Sequence, residues 1–245
     1  MSFKLLVGIL LCLIYSLPTV AHENKVVLAY VEYPPYYGQS LENGGPITEI
    51  IVQAFNQVGY EVKLKFVPWA RGLEGAKRGT YDGLFTAWYR EEREEWFVFS
   101  APLPPNEIGF YKRKGVSIKF NSFEDLKPYK IGIVRGHVNP LGFKETNLKT
   151  SVAATDIENL HLLTMSRIDL ALTDKALGRY IIRTELRGKE NKLEWIGPPV
   201  EVVNQYLMIS KQARDFKIKL EAFNLGLKKL TESGELNKIL AKHGF

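Results

Sequence analysis

The apolar positions after residue 25 alternate between strand and helix patterns. Residues 26–31 form a short, nearly continuous apolar run, which is typical of a strand buried on both faces. A helical pattern follows and stops at Gly59. Its apolar positions are Ile47, Ile50, Ile51, Ala54, Phe55 and Val58. Residues 62–67 then predict a strand, 68–79 a helix and 83–87 another strand. Such consecutive βα units predict an α/β fold with a mostly parallel sheet and helices on both faces.

A second series with the same alternation begins after an extended crossing at residues 107–114. Ser122 starts a helical turn, with a capping-box pattern completed by Asp125. Asp156 is the predicted cap of the next helix. The remaining predicted elements are helices at 156–167 and 174–186, strands at 130–134, 168–173 and 205–210, and a long helix at 216–230 before a short terminal one. Because no flexible Ser/Gly linker joins the two series, we expect two lobes with a hinge.

The first 21 residues have the layout of a cleaved secretory signal peptide. Lys4 precedes an apolar run from Leu5 to Leu17, and small residues lead up to Ala21. The only cysteine, Cys12, lies within that run, so the mature chain should contain none and carry no lipid anchor. About 224 residues remain, enough for one large domain or two small ones.

Composition excludes some classes of function. The net charge of +6 falls to about +5 without Lys4, and no run of basic residues with interleaved aromatics indicates a nucleic-acid groove. His137 and His161 have no metal-ligand partner at useful spacing. We therefore expect no nucleic acid, metal or cofactor.

The stretch from Tyr81 to Pro102 is the strongest candidate for binding chemistry. It predicts a strand, a charged loop with a helical turn, and a second strand, a layout that can hold Arg93 at the end of a sheet. The glutamates at 91, 92, 94 and 95, together with Arg90, are expected to form a solvated face. Ligands of parallel sheets bind beyond the carboxyl ends of the strands. The residues expected to gather at that edge are Tyr33, Trp69, Thr86 and Trp88.

Six short motifs, in this order along the mature chain, resemble the periplasmic solute-binding proteins of the polar amino-acid uptake type, known as family 3. They are Tyr33-Pro34-Pro35-Tyr36; Gly79-Thr80-Tyr81-Asp82-Gly83; Glu92-Arg93 with Phe99-Ser100-Ala101-Pro102; Lys130-Ile131-Gly132-Ile133 with Gly136; Ile168-Asp169-Leu170-Ala171 with Asp174; and Ser233-Gly234-Glu235-Leu236-Asn237-Lys238-Ile239-Leu240.

The resemblance implies a type II periplasmic-binding fold. Each lobe is a mainly parallel sheet flanked by helices, and a two-strand hinge joins the lobes. Residues 22–108 and 206–245 would form lobe 1, and residues 109–205 lobe 2. A small solute would bind in the cleft, and closure would present the loaded protein, a monomer, to a membrane permease or a receptor.

The resemblance also implies roles for individual residues. Arg93 matches the family's arginine that binds the α-carboxylate of the ligand, and Asp174 matches the acid that accepts from the α-ammonium. Tyr33 and Trp69 match the aromatic walls around the ligand side chain. Each has a structural alternative: Arg93 could pair with the neighbouring glutamates, Asp174 could be only a helix cap, Trp69 could be core, and the tyrosines could cover the sheet edge.

Two positions depart from the family pattern and bear on specificity. Trp88 stands where amino-acid binders usually have a small hydroxyl residue. His137-Val138 stands where they usually have a Thr/Ser pair beside the carboxylate.

Three functions are compatible with these residues. The first is a periplasmic binding protein that captures an amino acid or similar small polar solute for ABC-type uptake, with no catalytic residue. The second is a cyclohexadienyl dehydratase-like enzyme on the same scaffold, with Glu32 or His137 as general acid. The third is a periplasmic sensing subunit that docks on a receptor.

Overall fold

The computed structural model describes residues 24–137 and 139–245. The predicted signal peptide at residues 1–21 and Val138 lie outside the described residues. Within the described part, no helix has the length and apolar character needed to cross a membrane.

Nine strands of the described residues form one continuous sheet. They are β1 (Lys25–Tyr30), β2 (Glu61–Phe66), β3 (Gly83–Trp88), β4 (Phe97–Phe99), β5 (Leu103–Arg113), β6 (Ile131–Val134), β7 (Thr150–Ala153), β8 (Leu170–Asp174) and β9 (Leu193–Ser210). Their order is β2-β1-β3-β9-β5-β8-β6-β7, and β4 pairs with β9.

The described residues contain six α-helices. They are α1 (Pro46–Asn56), α2 (Trp69–Lys77), α3 (Asp156–Thr164), α4 (Lys175–Thr184), α5 (Phe216–Glu232) and α6 (Glu235–Lys242). Short 3-10 turns occur at Glu42–Gly44, Glu91–Arg93, Phe123–Leu126 and Glu190–Lys192.

The strand pairing divides into two parallel blocks joined by antiparallel strands. In the first block β1 pairs in parallel with β2 and β3, and in the second β6 pairs in parallel with β7 and β8. The parallel βα units predicted from the sequence are therefore confirmed. The long strands β5 and β9 run antiparallel to each other and to their neighbours β8 and β3. These two strands connect the two lobes.

The buried apolar residues separate along the same division. Two clusters lie in the first lobe, where Phe55 of α1 contacts Phe223 of α5 with ring centroids 5.2 Å apart. Two further clusters are built from residues between Ile108 and Val200. The exact lobe boundaries, at residues 108 and 205, remain predictions.

The turn before β3 shows why this lobe needs particular residues. The Asp82 carboxylate accepts a hydrogen bond from Val27 N at 2.7 Å and pairs with Lys219 Nζ at 2.6 Å. A Cβ on Gly83 would lie 2.2 Å from the carbonyl oxygen of Met208, so only glycine lets β3 and β9 approach this closely.

Helix capping in the second lobe is partly as predicted. The Ser122–Asp125 capping box is present, and Asp174 caps α4 by accepting from Leu177 N. The prediction that Asp156 caps α3 is wrong: the cap is Thr155, whose hydroxyl accepts from Glu158 N, and the helix ends at Thr164 rather than at residue 167. Thr155 supplies the acceptor that the free amides at the helix start require, so the Asp156 carboxylate is not used for this purpose.

Candidate ligand-binding site

A cavity of about 490 Å³ lies where β3, β5, β8 and β9 meet between the two lobes. All seven residues proposed from the sequence line it: Tyr33, Trp69, Thr86, Trp88, Arg93, His137 and Asp174. Its other lining residues include Tyr37, Arg90, Asn106, Asn139, Asp156, Thr173 and Gln205. The expected gathering of strand-end residues is therefore present.

Arg93 is held in the 3-10 turn that follows β3. Its Nη1 donates to the carbonyl oxygen of Trp88 at 2.8 Å, and its guanidinium carbon lies 5.5 Å from the centroid of the Trp69 ring. Desolvation, followed by the nearby charge of Arg90, lowers the pKa of Arg93 from its ordinary value. An arginine titrates so far above neutral pH that it stays charged.

The glutamates around Arg93 do not take up its charge. The residues Glu91, Glu92, Glu94 and Glu95 are exposed, as the sequence predicted. Among the described residues, none of their carboxylates lies within ion-pair distance of Arg93. The guanidinium therefore keeps free donors facing the cavity.

Asp174 lies at the end of β8 and is only 3% exposed. Its carboxylate accepts from Leu177 N at 2.8 Å and from Asn106 Nδ2 at 3.2 Å. The hydroxyl of Tyr36 lies 2.7 and 2.9 Å from its two oxygens. Burial raises the pKa of Asp174, while these donors oppose the rise. Asp174 is thus both a helix cap and a wall of the cavity.

Aromatic side chains form the cavity walls on the first lobe. Tyr33 stacks on Tyr36 with ring centroids 5.7 Å apart. Trp88 Nε1 donates to Asn106 Oδ1 at 2.8 Å, which joins the tryptophan to the amide that also contacts Asp174. Trp69 packs partly against a buried cluster and partly on the cavity, so its core and lining roles coexist.

The connecting strands contribute buried polar groups to the floor of the cavity. Thr86 donates to Gln205 Oε1 at 2.6 Å, and Gln205 Nε2 donates to Pro104 O at 2.9 Å. The hydroxyl oxygen of Tyr37 lies 3.1 Å from that of Thr86. This network fixes the Thr86 and Gln205 side chains, because each buried polar group has a partner.

Of the two alternative general acids, Glu32 and His137, only His137 lines the cavity. His137 is exposed and lines the cavity after β6. Glu32 is outside the cavity lining, and its carboxylate accepts from Gln39 N at 3.1 Å on the surface.

The sequence-based selection missed several lining residues. Arg90 was expected on a solvated face but lines the cavity beside Arg93. Asn106 and Gln205 lie on the connecting strands, whose faces no periodic pattern in the sequence distinguishes. Asp156 follows β7, so the same strand-end rule that selected Tyr33 could have found it.

The chain that forms this cleft matches a known protein family over nearly all of its described residues. The sequence profile of the Bacterial extracellular solute-binding proteins, family 3, matches residues 26–245. The chain belongs to this family. Apart from Lys25, the first residue of β1, the matched span contains every strand and helix given above, and the family is one of binding proteins.

Two relatives and one solved structure illustrate the similarity. The chain is 23% identical to the arginine-binding periplasmic protein of Mannheimia haemolytica, covering 95% of this chain and 96% of the relative. It is 23% identical to a probable histidine-binding protein of Neisseria gonorrhoeae, covering 91% and 84%. The second substrate-binding domain of a putative amino acid ABC transporter from Streptococcus pneumoniae superposes with a TM-score of 0.73 at 22% identity, covering 89% and 99%. This structural likeness supports the two-lobed α/β fold of the family member.

Proposed function

We propose that this family member is a periplasmic protein that binds an amino acid in the cleft and delivers it to an ABC-type permease. The observation that carries the proposal is the placement of Arg93 and Asp174 on different lobes around one cavity that also has aromatic walls. The amino-acid-binding names of the relatives support the same ligand class. We infer a monomer with a cleaved signal peptide, as the sequence predicts.

The charges of the cavity match a zwitterion. A carboxylate and an ammonium lose water on entering a cleft, which costs several kcal/mol unless each meets an opposite charge. The planar fork of Arg93 would bind the carboxylate through two parallel hydrogen bonds. Asp174 would accept from the ammonium, and Thr86 and His137 would supply further polar contacts.

The walls would determine which side chains fit. Tyr33, Trp69 and Trp88 present flat surfaces that lose little conformational entropy on binding. They favour a ligand with an apolar, aromatic or cationic body. Because Arg93 and Asp174 belong to different lobes, binding both ends of a ligand would also favour closure of the cleft.

Arg93→Ala tests the proposal. The mature protein would be screened by thermal shift against the common amino acids, amines and small carboxylic acids. We expect at least one amino acid to raise the unfolding temperature of the wild type. Arg93→Ala should weaken that ligand by about 30-fold or more, because removing one partner of a buried charge contact costs at least about 2 kcal/mol.

Arg71→Ala is the matched control. Arg71 is also an arginine of the first lobe, but it is exposed on α2 and outside the cavity lining. The Arg71→Ala protein should bind the ligand with the same affinity as the wild type. Undiminished ligand stabilisation in Arg93→Ala would contradict the proposed site.

A further inference from the structure

Asp156 is a second carboxylate of the binding cavity. It is the first residue of α3, directly after the Thr155 cap, and it is partly exposed. Asp156 and Leu177 also line an adjoining cavity of about 320 Å³, so the carboxylate lies where the two cavities meet.

The Asp156 carboxylate has no internal partner in the part of the chain that the structure describes. The acceptor at the start of α3 is the Thr155 hydroxyl, and the neighbouring Glu158 carboxylate accepts from Ala154 N at 2.8 Å. No hydrogen bond or ion pair with a described residue involves the Asp156 side chain. Its acceptor sites are therefore available to a ligand.

Asp174 contrasts with Asp156 in this respect. An ionised carboxylate has about four acceptor positions. Leu177 N, Asn106 Nδ2 and the Tyr36 hydroxyl already direct hydrogens at Asp174, which is almost wholly buried. Asp174 can serve one ammonium group, and a second cation on the same ligand would need another acceptor.

The two carboxylates and the Tyr33 ring line the same cavity. Tyr33 lies within electrostatic range of both, since Asp174 and Asp156 each add to the burial that raises the pKa of the Tyr33 hydroxyl. A ligand whose body lies against the Tyr33 ring would therefore have a carboxylate available for each of two positive groups.

The positive groups of the cavity lie together at Arg93. Arg90 lines the cavity beside Arg93, so both guanidinium groups lie at the end that would bind the ligand carboxylate. A positive side chain that extends away from the carboxylate end of the ligand would therefore meet Asp156.

We propose that Asp156 binds a second positive group of the ligand and makes the cleft selective for amino acids with cationic side chains. The inference rests on the proposed amino-acid function and specifies its ligand class. The preference would arise because a neutral side chain of the same length leaves Asp156 unpaired in the closed cleft.

Isothermal titration with matched ligand pairs tests this role. The pairs are L-lysine with L-norleucine and L-arginine with L-citrulline, which differ mainly in side-chain charge. We expect the wild type to prefer the charged member by about tenfold or more, as for hydrogen bonds to charged groups. Asp156→Asn should reduce the preference to about threefold or less, because it weakens binding of the charged member and removes the unpaired carboxylate that disfavours the neutral one.

Glu145→Gln is the control, because it removes the same charge from an exposed site of the same lobe outside the cavity lining. It should keep the wild-type preference. Asp156→Ser provides a second variant, with circular dichroism and the unfolding temperature as checks of folding.

The remaining outcomes separate the two proposals. An undiminished preference in Asp156→Asn overturns the role of Asp156, while the proposed function stands if ligands still require Arg93. The role of Asp156 is also overturned if the wild type binds norleucine more tightly than lysine, or citrulline more tightly than arginine. Tighter binding of L-glutamate than of lysine and arginine would overturn it too, and would indicate Arg90 as the side-chain partner. Failure of the folded wild type to bind any amino acid overturns both proposals.

Discussion

At the scale of single residues, the Tyr36 hydroxyl and the Asp174 carboxylate join distant parts of the chain in the cleft. They are 138 positions apart in the chain, and Asn106 and Trp88 extend their contact across the cavity. Phe245 packs on the Tyr36 ring with centroids 5.2 Å apart, so the chain end also supports this pair. A buried network of this kind is stable only while every member has a partner.

The raised pKa of Asp174 predicts a specific pH dependence. A buried acid with a folded-state pKa above its unfolded value contributes stability that is fully present below the unfolded pKa and is lost as pH rises through the folded pKa. The wild type should therefore lose free energy of unfolding relative to Asp174→Asn as pH rises from about 3 into the range above the ordinary aspartate pKa. Asparagine keeps an acceptor for Leu177 N but does not ionise.

Urea denaturation of both proteins at a series of pH values measures this difference. If the difference in free energy of unfolding between the wild type and Asp174→Asn stays constant across the pH series, Asp174 has the same pKa in the folded and unfolded chains. Asp125→Asn is a useful comparison, because backbone hydrogen bonds lower the pKa of this carboxyl and the sign of its pH dependence should be opposite.

Which residues the sequence could identify follows from how each is positioned. Arg93, Tyr33 and Trp88 lie next to strand ends that an apolar run reveals, so their common location was predictable. Asn106 and Gln205 lie within strands that cross between lobes, and their burial depends on pairing between segments about 100 positions apart. The partner of Asp174, Tyr36, depends on a side-chain contact that no local pattern specifies.

At the scale of elements, the packing of α5 against α1 depends on one glycine. A Cβ at Gly226 would lie 1.8 Å from the carbonyl oxygen of Ala54 in the middle of the contact. Gly226→Ala should therefore destabilise the protein by about 1–3 kcal/mol, the usual cost of overpacking, although alanine is the better helix former.

The urea midpoint of unfolding checks this expectation. Glu221→Ala changes the exposed side of the same helix and should shift the midpoint little. A Gly226→Ala protein as stable as the wild type would mean that α1 and α5 can separate without loss of packing.

Elements with strong local patterns were also those predicted correctly. The apolar spacing of α1 and the capping residues of α4 and the Ser122 turn determine their conformation locally. The extent of β9, which runs from Leu193 to Ser210, was not predicted, because its exposed half lacks an apolar pattern and is held by pairing with β5.

At the scale of the whole molecule, the Tyr36–Asp174 hydrogen bond joins the predicted lobes. Tyr36→Phe removes it while keeping the ring contacts. We expect the ligand-free variant to populate more open arrangements, which would increase its radius of gyration in small-angle X-ray scattering. A bound amino acid should reverse the increase, because it bridges the same lobes.

Tyr37→Phe is the control for that experiment. Its hydroxyl contacts Thr86 of β3 within the first lobe, so its removal should leave the scattering curve unchanged. Identical radii for Tyr36→Phe and the wild type would show that other contacts hold the lobes in their relative positions.

The separation of the cores has a consequence for the order in which the protein folds. The core between Ile108 and Val200 is built from one continuous piece of chain, so it can form as soon as that piece is complete. The largest core of the first lobe needs β1 and also Phe223, Leu227, Leu230 and Ile239 from the last two helices. A chain that emerges from its N-terminus must therefore hold the apolar faces of β1 and α1 unpaired until its final residues arrive. Those early segments are where a chaperone would have the longest time to bind.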